Sequence, residues 1–251
     1  NKTIMSIFVL IFIRTFAIIK KGEKIMIYHI NTGLIIEEFS KDCECPVCRL
    51  SRRVEEQFLH EYLNDAVMDD DSRSEVINTG FCFEHYKKLF ARPNKLSLAL
   101  QAHDRLKRVR ETIGIPTDLK TALKTAEGIK KSQETCIICK HKDGAMERYY
   151  IGIAKLFAEN PSFKPLLEKS KGFCMTHYAL LLENAKHAGS KAKDYVNVLA
   201  TVQDKALARI SGELKWFCDK HDYRNRLAPL GTAVDVLPRT CEKLYSKKVD
   251  E

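Results

Sequence analysis

The sequence predicts an all-α fold, a helical bundle built from two similar repeats, and three observations carry that prediction. Apolar residues recur at helical spacing through most of the chain, no stretch after the N-terminal region alternates apolar with polar residues, and one cysteine and histidine pattern is written twice. The composition suits such a fold: with 45% hydrophobic and 30% charged residues over 251 positions, the chain can bury one large core or two smaller ones. A net charge of +9 permits an acidic partner, but the 42 Lys and Arg are scattered among 33 acids, so charge alone selects no ligand. Nine cysteines are an odd number in a chain too long to need disulfide staples, and two Cys-x-x-Cys pairs point to metal ligation in a reducing, cytoplasmic setting.

Residues 1–25 stand apart. Ile4 to Ile19 is apolar, but it falls short of the roughly 20 residues a membrane helix needs and is interrupted by Arg14, and no small-residue cleavage site follows. Lys21-Gly22-Glu23-Lys24 can be encoded by a stretch containing AAGGAG just before the Met26 codon, the form of a bacterial ribosome-binding site read as protein. The expectation is a native start at Met26, with residues 1–25 a non-native upstream translation and, in that case, no membrane association.

The first repeat, residues 26–116, carries Cys45-Pro46-Val47-Cys48 and then Cys82-Phe83-Glu84-His85; the second, residues 134–227, carries Cys136-Ile137-Ile138-Cys139 and then Cys174-Met175-Thr176-His177. Gly-Phe precedes each later motif and Tyr follows each histidine, so the near-constant offset marks an internal duplication. Each Cys-x-x-Cys opens a helix, read from Leu50, Val54, Phe58, Tyr62 and Ala66 in the first repeat and from Met146, Tyr149, Ile153 and Phe157 in the second. Asp69–Ser72 and Asn160–Ser162 break these helices before the Gly-Phe-Cys turns. More helix follows each histidine, through Leu96, Leu100, Leu106 and Val109 in the first repeat and, with Ser190 as a cap, from Tyr195 to Phe217 in the second. Residues 117–133 form a basic linker or solvated helix without aromatics for base stacking, and residues 228–251 close the chain.

Cys-x-x-Cys brings two sulfurs to one ion through a tight turn, and Cys-x-x-His at a helix start adds a thiolate and an imidazole one turn apart. Together they make Cys₃His, a closed tetrahedral set of the structural zinc type. Each repeat holds all four ligands, so the expectation is two zinc ions, one on Cys45, Cys48, Cys82 and His85 and the other on Cys136, Cys139, Cys174 and His177. A glycine just before each third ligand suits a crowded turn that needs a backbone conformation only glycine adopts cheaply.

The remaining candidates read as structural. Cys43 has Glu134 at the equivalent place in the second repeat and is a bystander, Cys218 and Cys241 are helix residues, and His103 reads as a core histidine on an apolar helical face. Lys215 to Asn225, with Trp216, Phe217, Asp222, Tyr223 and Arg224, reads as a packing and salt-bridge cluster closing the long helix.

The ordered motifs KDCECPVC, GFCFEHYKKLF, NKLSLAL, KGFCMTHYALL, DKHDYRN and VDVLPRTCEKL, from about Tyr28 to Leu244, resemble an uncharacterised family of bacterial proteins. That family is a domain of unknown function with paired Cys-x-x-Cys and Gly-Phe-Cys-x-x-His motifs. The resemblance implies relatives and a fold but no reaction. The residues themselves point to a non-catalytic module with no catalytic residue, since closed Cys₃His sites leave no position for substrate, and to an unidentified protein as its partner. A thiol-redox or zinc-sensing protein is the alternative reading, and nucleic-acid binding is a weaker third.

Overall fold

The computed structural model describes residues 24–247, and within them every regular element is a helix. Apart from Lys24 and Ile25, which open the first helix, the expectation placed on residues 1–25 lies outside the described residues. Helix α1 (Lys24–Phe39) leads into α2 (Pro46–Asn64), α3 (Asp70–Thr79), α4 (Phe83–Phe90) and α5 (Lys95–Ile113). After α6 (Leu119–Gln133) the second repeat runs through α7 (Ile137–Glu159), α8 (Phe163–Lys169), α9 (Met175–Glu183), the long α10 (Ala192–Asp219) and the closing α11 (Val236–Tyr245).

Helices α2 and α7, the two that begin with Cys-x-x-Cys, form the axis of the fold. Phe58 and Tyr62 from the end of α2 meet the ring of His141 at the start of α7, with centroids 5.6 and 6.0 Å apart, so the helices run antiparallel. Each therefore crosses the two larger hydrophobic clusters, in opposite order, while a third small cluster of Ile210, Ala233 and Val236 lies apart from them. The larger core takes Val47, Leu50 and Val54 from the start of α2 with Tyr149, Ile153 and Phe157 from the later turns of α7. The smaller takes Leu59, Tyr62 and Leu63 from the end of α2 with Ile137 and Ile138 from the start of α7. Because both halves of the chain build both cores, neither repeat buries its own apolar face alone.

Local sequence sets the helix starts. Asp69 and Asn94 accept backbone N–H bonds at the openings of α3 and α5, and Asp118 forms a capping box with Thr121 at α6. The basic 117–133 segment is thus mostly helix, although none of its helical residues is buried. Ser190 does not cap the long helix: it lies in a preceding 3₁₀ segment (Ala185–Lys191), and Lys191 occupies the cap position. His103 also departs from expectation, because its place on α5 faces solvent, where it sits 3.6 Å from Asp104 at 78% side-chain exposure.

Gly172 occupies a turn that a side chain would disrupt. Its φ is +86°, and a Cβ there would lie 2.5 Å from the Ala206 Cβ on α10. Gly80, with φ +77°, opens the equivalent turn, where the nearest atom, at 3.0 Å, is the flexible Arg105 side chain. Both glycines bear out the reading that the turn before each Cys-x-x-His needs a backbone other residues rarely adopt.

Candidate metal centres

All eight sequence-predicted ligands converge in two groups of four, but not in the groups expected. Cys45 and Cys48 of the first repeat meet Cys174 and His177 of the second, and Cys82 and His85 of the first meet Cys136 and Cys139 of the second. The expectation of one closed site within each repeat is overturned. The physical reason is the antiparallel pairing of α2 and α7: the start of each lies beside the far end of the other, so each Cys-x-x-Cys faces the Cys-x-x-His turn of the opposite repeat.

In the first centre, fully buried, the Cys174 Sγ lies 3.5 Å from Cys48 Sγ and 3.9 Å from Cys45 Sγ. The His177 Nδ1 lies 3.1, 3.2 and 3.6 Å from the sulfurs of Cys174, Cys48 and Cys45. In the second centre the His85 Nδ1 is 3.2 Å from Cys82 and 3.3 Å from both Cys136 and Cys139, and Cys82 and Cys139 are 3.9 Å apart. A tetrahedral ion with metal–sulfur bonds of ~2.3 Å and metal–nitrogen bonds of ~2.0 Å would space sulfurs about 3.8 Å apart and sulfur from nitrogen about 3.5 Å. The distances above meet those spacings to within about half an ångström, and all donors of each centre lie within 4.8 Å of one another. The sulfurs stand far outside the ~2.05 Å of a disulfide, and all nine cysteines are free.

Helix starts shape both centres. The first cysteine of each motif occupies an N-cap position, and in the buried centre the thiols act as caps: Cys45 Sγ accepts the Cys48 N–H at 3.4 Å and Cys174 Sγ accepts the His177 N–H at 3.5 Å. Four helix N-termini thus direct partial positive charge at the sulfurs, which favours thiolate. Charge sharing within each group is unequal. At Cys174, hydrogen bonds from Cys45 and Cys48 overcome burial and drive the thiol far down, while burial pushes Cys45 up to about 12. At Cys136, burial pushes the thiol up, but the hydrogen bond and charge of His85 together with backbone bonds from Cys139 and Cys82 outweigh it and the thiol falls to about 6, while burial lifts Cys139 to about 12. Each group therefore gathers negative charge at a point ringed by four soft or borderline donors, a set suited to a divalent cation.

The surroundings of the centres differ. His85 Nε2 lies 2.8 Å from Glu55 Oε1 on α2, and Lys88 Nζ lies 2.8 Å from the other carboxylate oxygen. Burial opposes ionisation of Glu55, but these two partners prevail and hold it at about 2. With Nδ1 turned to the sulfurs, Nε2–H donates to this carboxylate, the arrangement that fixes a ligating imidazole. His177 instead has the Tyr150 ring at 6.2 Å, and its centre is covered by α11. Ser246, just past that helix, donates to Cys174 Sγ at 3.0 Å. The Lys243 ammonium, 1% exposed, donates to the Glu44 carbonyl at 2.6 Å and the Lys171 carbonyl at 2.9 Å, and pairs with the Glu44 carboxylate at 3.1 Å. Burial would raise Glu44, but Arg209 and Lys243 hold it below the usual carboxylate range.

The profile of a family of unknown function, DUF6062, matches residues 25–251. The chain belongs to that family. No curated protein and no solved structure matches the chain. The family match agrees with the resemblance read from the ordered motifs and leaves the chemistry to be argued from the residues.

Cys43, Cys218 and Cys241 stand outside both groups, as expected for bystanders. The Lys215 to Asn225 stretch closes α10 by packing: Trp216 Nε1 donates to the Pro229 carbonyl, Phe217 meets His221 edge-on, and Arg224 pairs with Asp222 at 2.6 Å. Sequence reasoning missed Glu44, Glu55, Lys243 and Ser246. Only Glu44, adjacent to a ligand, carried any positional hint. Among the described residues no helix is long and apolar enough to cross a membrane.

Proposed function

We propose that this protein is a non-catalytic zinc module, in which two Cys₃His ions lock the repeats together and present the resulting helical surface to a protein partner. The observation that carries the reading is the exchange of ligands: each candidate centre takes two donors from each half, Cys45 and Cys48 with Cys174 and His177, and Cys82 and His85 with Cys136 and Cys139. An ion bound at either place ties segments more than 50 residues apart, a structural use of metal. Three sulfurs and one nitrogen in tetrahedral spacing favour zinc among common divalent ions, and four protein donors complete its coordination, which speaks against activated water or bound substrate.

The test is zinc content after purification without added metal, about two equivalents being expected from one ion per closed site. Double substitutions then read the pairing. C45S/C174S removes donors from one centre and should retain about one equivalent, whereas C45S/C82S damages both and should retain about none. The opposite pattern would restore one site per repeat, and substantial iron or no metal would overturn the reading altogether.

A thiol-sensing role has one observation in its favour. Cys82 and Cys139 of the second centre are only partly buried, within reach of an oxidant, whereas the sulfurs of the first are buried. Under that reading peroxide releases one equivalent of zinc reversibly and leaves the other.

A further inference from the structure

Helix α5 packs its first turns against α2 and α3, and between its later turns and α6 lies a groove of about 760 Å³ adjoined by a second cavity of about 440 Å³. Val109, Ile113 and Ile129 line both. Around this aliphatic floor stand Arg105, Arg108, Lys124 and Lys131 with the hydroxyl residues Thr112 and Thr125, and no carboxylate lines the larger groove. Residues 105–133 contain eight basic side chains against three acids, so they hold five of the nine net positive charges of the whole chain. Beside the groove Leu106, Ile115, Leu119 and Leu123 are exposed at 63–91%, and α6 buries none of its residues. An apolar surface of this kind, rimmed by one sign of charge, marks an interaction face.

We infer that this groove docks an acidic amphipathic segment of a partner protein, laid with its apolar side on Val109, Ile113 and Ile129 and its carboxylates toward Arg108, Lys124 and Lys131. Charge complementarity selects the occupant. A single-stranded nucleic acid would want aromatic faces for its bases, whereas the floor of the larger groove is aliphatic and has no aromatic residue. A helix-in-groove mode uses apolar anchors with complementary flanking charge, which the groove supplies. Its base is tied to the backbone just before the Cys82 turn: Arg105 donates to the Ile77 and Asn78 carbonyls at 2.9 Å, Thr135 Oγ1 to the Thr79 carbonyl at 2.9 Å, and the Ile137 N–H to the Gly80 carbonyl at 3.0 Å. The inference rests on the binding role proposed above and supplies its partner chemistry.

The test selects randomised displayed 20-residue peptides on the full chain, then measures the affinity of enriched peptides by fluorescence anisotropy. The wild type should enrich net-acidic peptides with apolar residues at helical spacing, and R108E/K124E, which reverses two exposed rim charges, should bind them at least about tenfold more weakly. Enrichment of basic or neutral peptides, no enrichment, or equal binding by the variant would overturn the inference. So would tighter binding of a 20-nucleotide single strand or of phosphatidylglycerol-containing vesicles. Zinc measured on the same sample separates the failures: two equivalents with no acidic-peptide selection removes the groove but leaves the metal module intact.

Discussion

The two candidate centres share one donor set and the same helix-start turns, and differ in burial and in the groups that surround them. The Cys45–Cys48–Cys174–His177 group lies inside the larger core, its sulfurs buried and its turns held under α11 by Lys243, Glu44 and Ser246. The Cys82–His85–Cys136–Cys139 group lies at the edge of the smaller core, with two sulfurs partly accessible and its imidazole held by Glu55. The comparison teaches that a duplicated motif does not imply a duplicated environment. One copy has been built into the interior, where its loss would empty packing as well as coordination, while the other sits beside the basic groove, where exchange with solvent is easier.

The largest effect that follows is a difference between two equivalent-looking substitutions. C174S should cost more than about 4 kcal/mol and lose cooperative unfolding, because it removes a donor from a centre continuous with the larger core. C139S should lose its ion too, yet keep the unfolding transition of the larger core at a lower temperature. Thermal denaturation followed by near-ultraviolet circular dichroism separates the outcomes, and equal damage from both would erase the distinction between the centres.

A second pair addresses the groups behind the ligands. K243M leaves the Glu44 carboxylate buried without its ammonium and two carbonyls without their donor, and should cost about 3 kcal/mol. E55Q should weaken the ion at the second centre about 10–100-fold, the usual consequence of losing a carboxylate behind a ligating histidine, and so lower the stability of the metal-loaded protein by about 1.4–2.7 kcal/mol. Competition with a chromogenic chelator reads the metal and urea denaturation reads the fold. If E55Q weakened both ions alike, the two centres would be coupled and not separately built.

How much of this was legible in the sequence depends on the range of the interactions. Helices, caps and ligand identities are local: Cys45 with Cys48, or Asp118 with Thr121, lie within one turn, and their spacing announces them. The glycine turns were legible too, since Gly80 and Gly172 answer a local backbone demand. Pairing was not, because each repeat contains four ligands and local closure satisfies the same chemistry as exchange. What decides it is the antiparallel fit of α2 against α7, a property of side-chain packing such as Phe58 and Tyr62 against His141. Lys243 was hidden for the same reason, since an isolated lysine normally reads as surface and only the fold brings it to Glu44, 199 residues away.

The smallest effect serves as the control, because it weakens the larger core without touching either ligand set. Glu38 on α1 is 2% exposed and accepts hydrogen bonds from Lys41 at 2.8 Å, Arg49 at 2.9 Å and Arg53 at 3.1 Å. Burial pushes its carboxyl up, but these three cations outweigh burial and hold it below the usual range. A carboxyl depressed in the folded state contributes stability above its unfolded value, about 4.3, and that contribution fades as pH falls through the folded value. E38Q should therefore cost about 1 kcal/mol near neutrality, the partners being partly solvated, with zinc content unchanged. The gap between wild type and E38Q should narrow as the pH is taken below about 4. Protonation of the metal ligands in acid affects both proteins alike, so the difference between them isolates Glu38. A gap that widened in acid, or zinc lost from E38Q at neutral pH, would mean that α1 bears on the centres themselves and that the buried site depends on more of the fold than its own turns and α11.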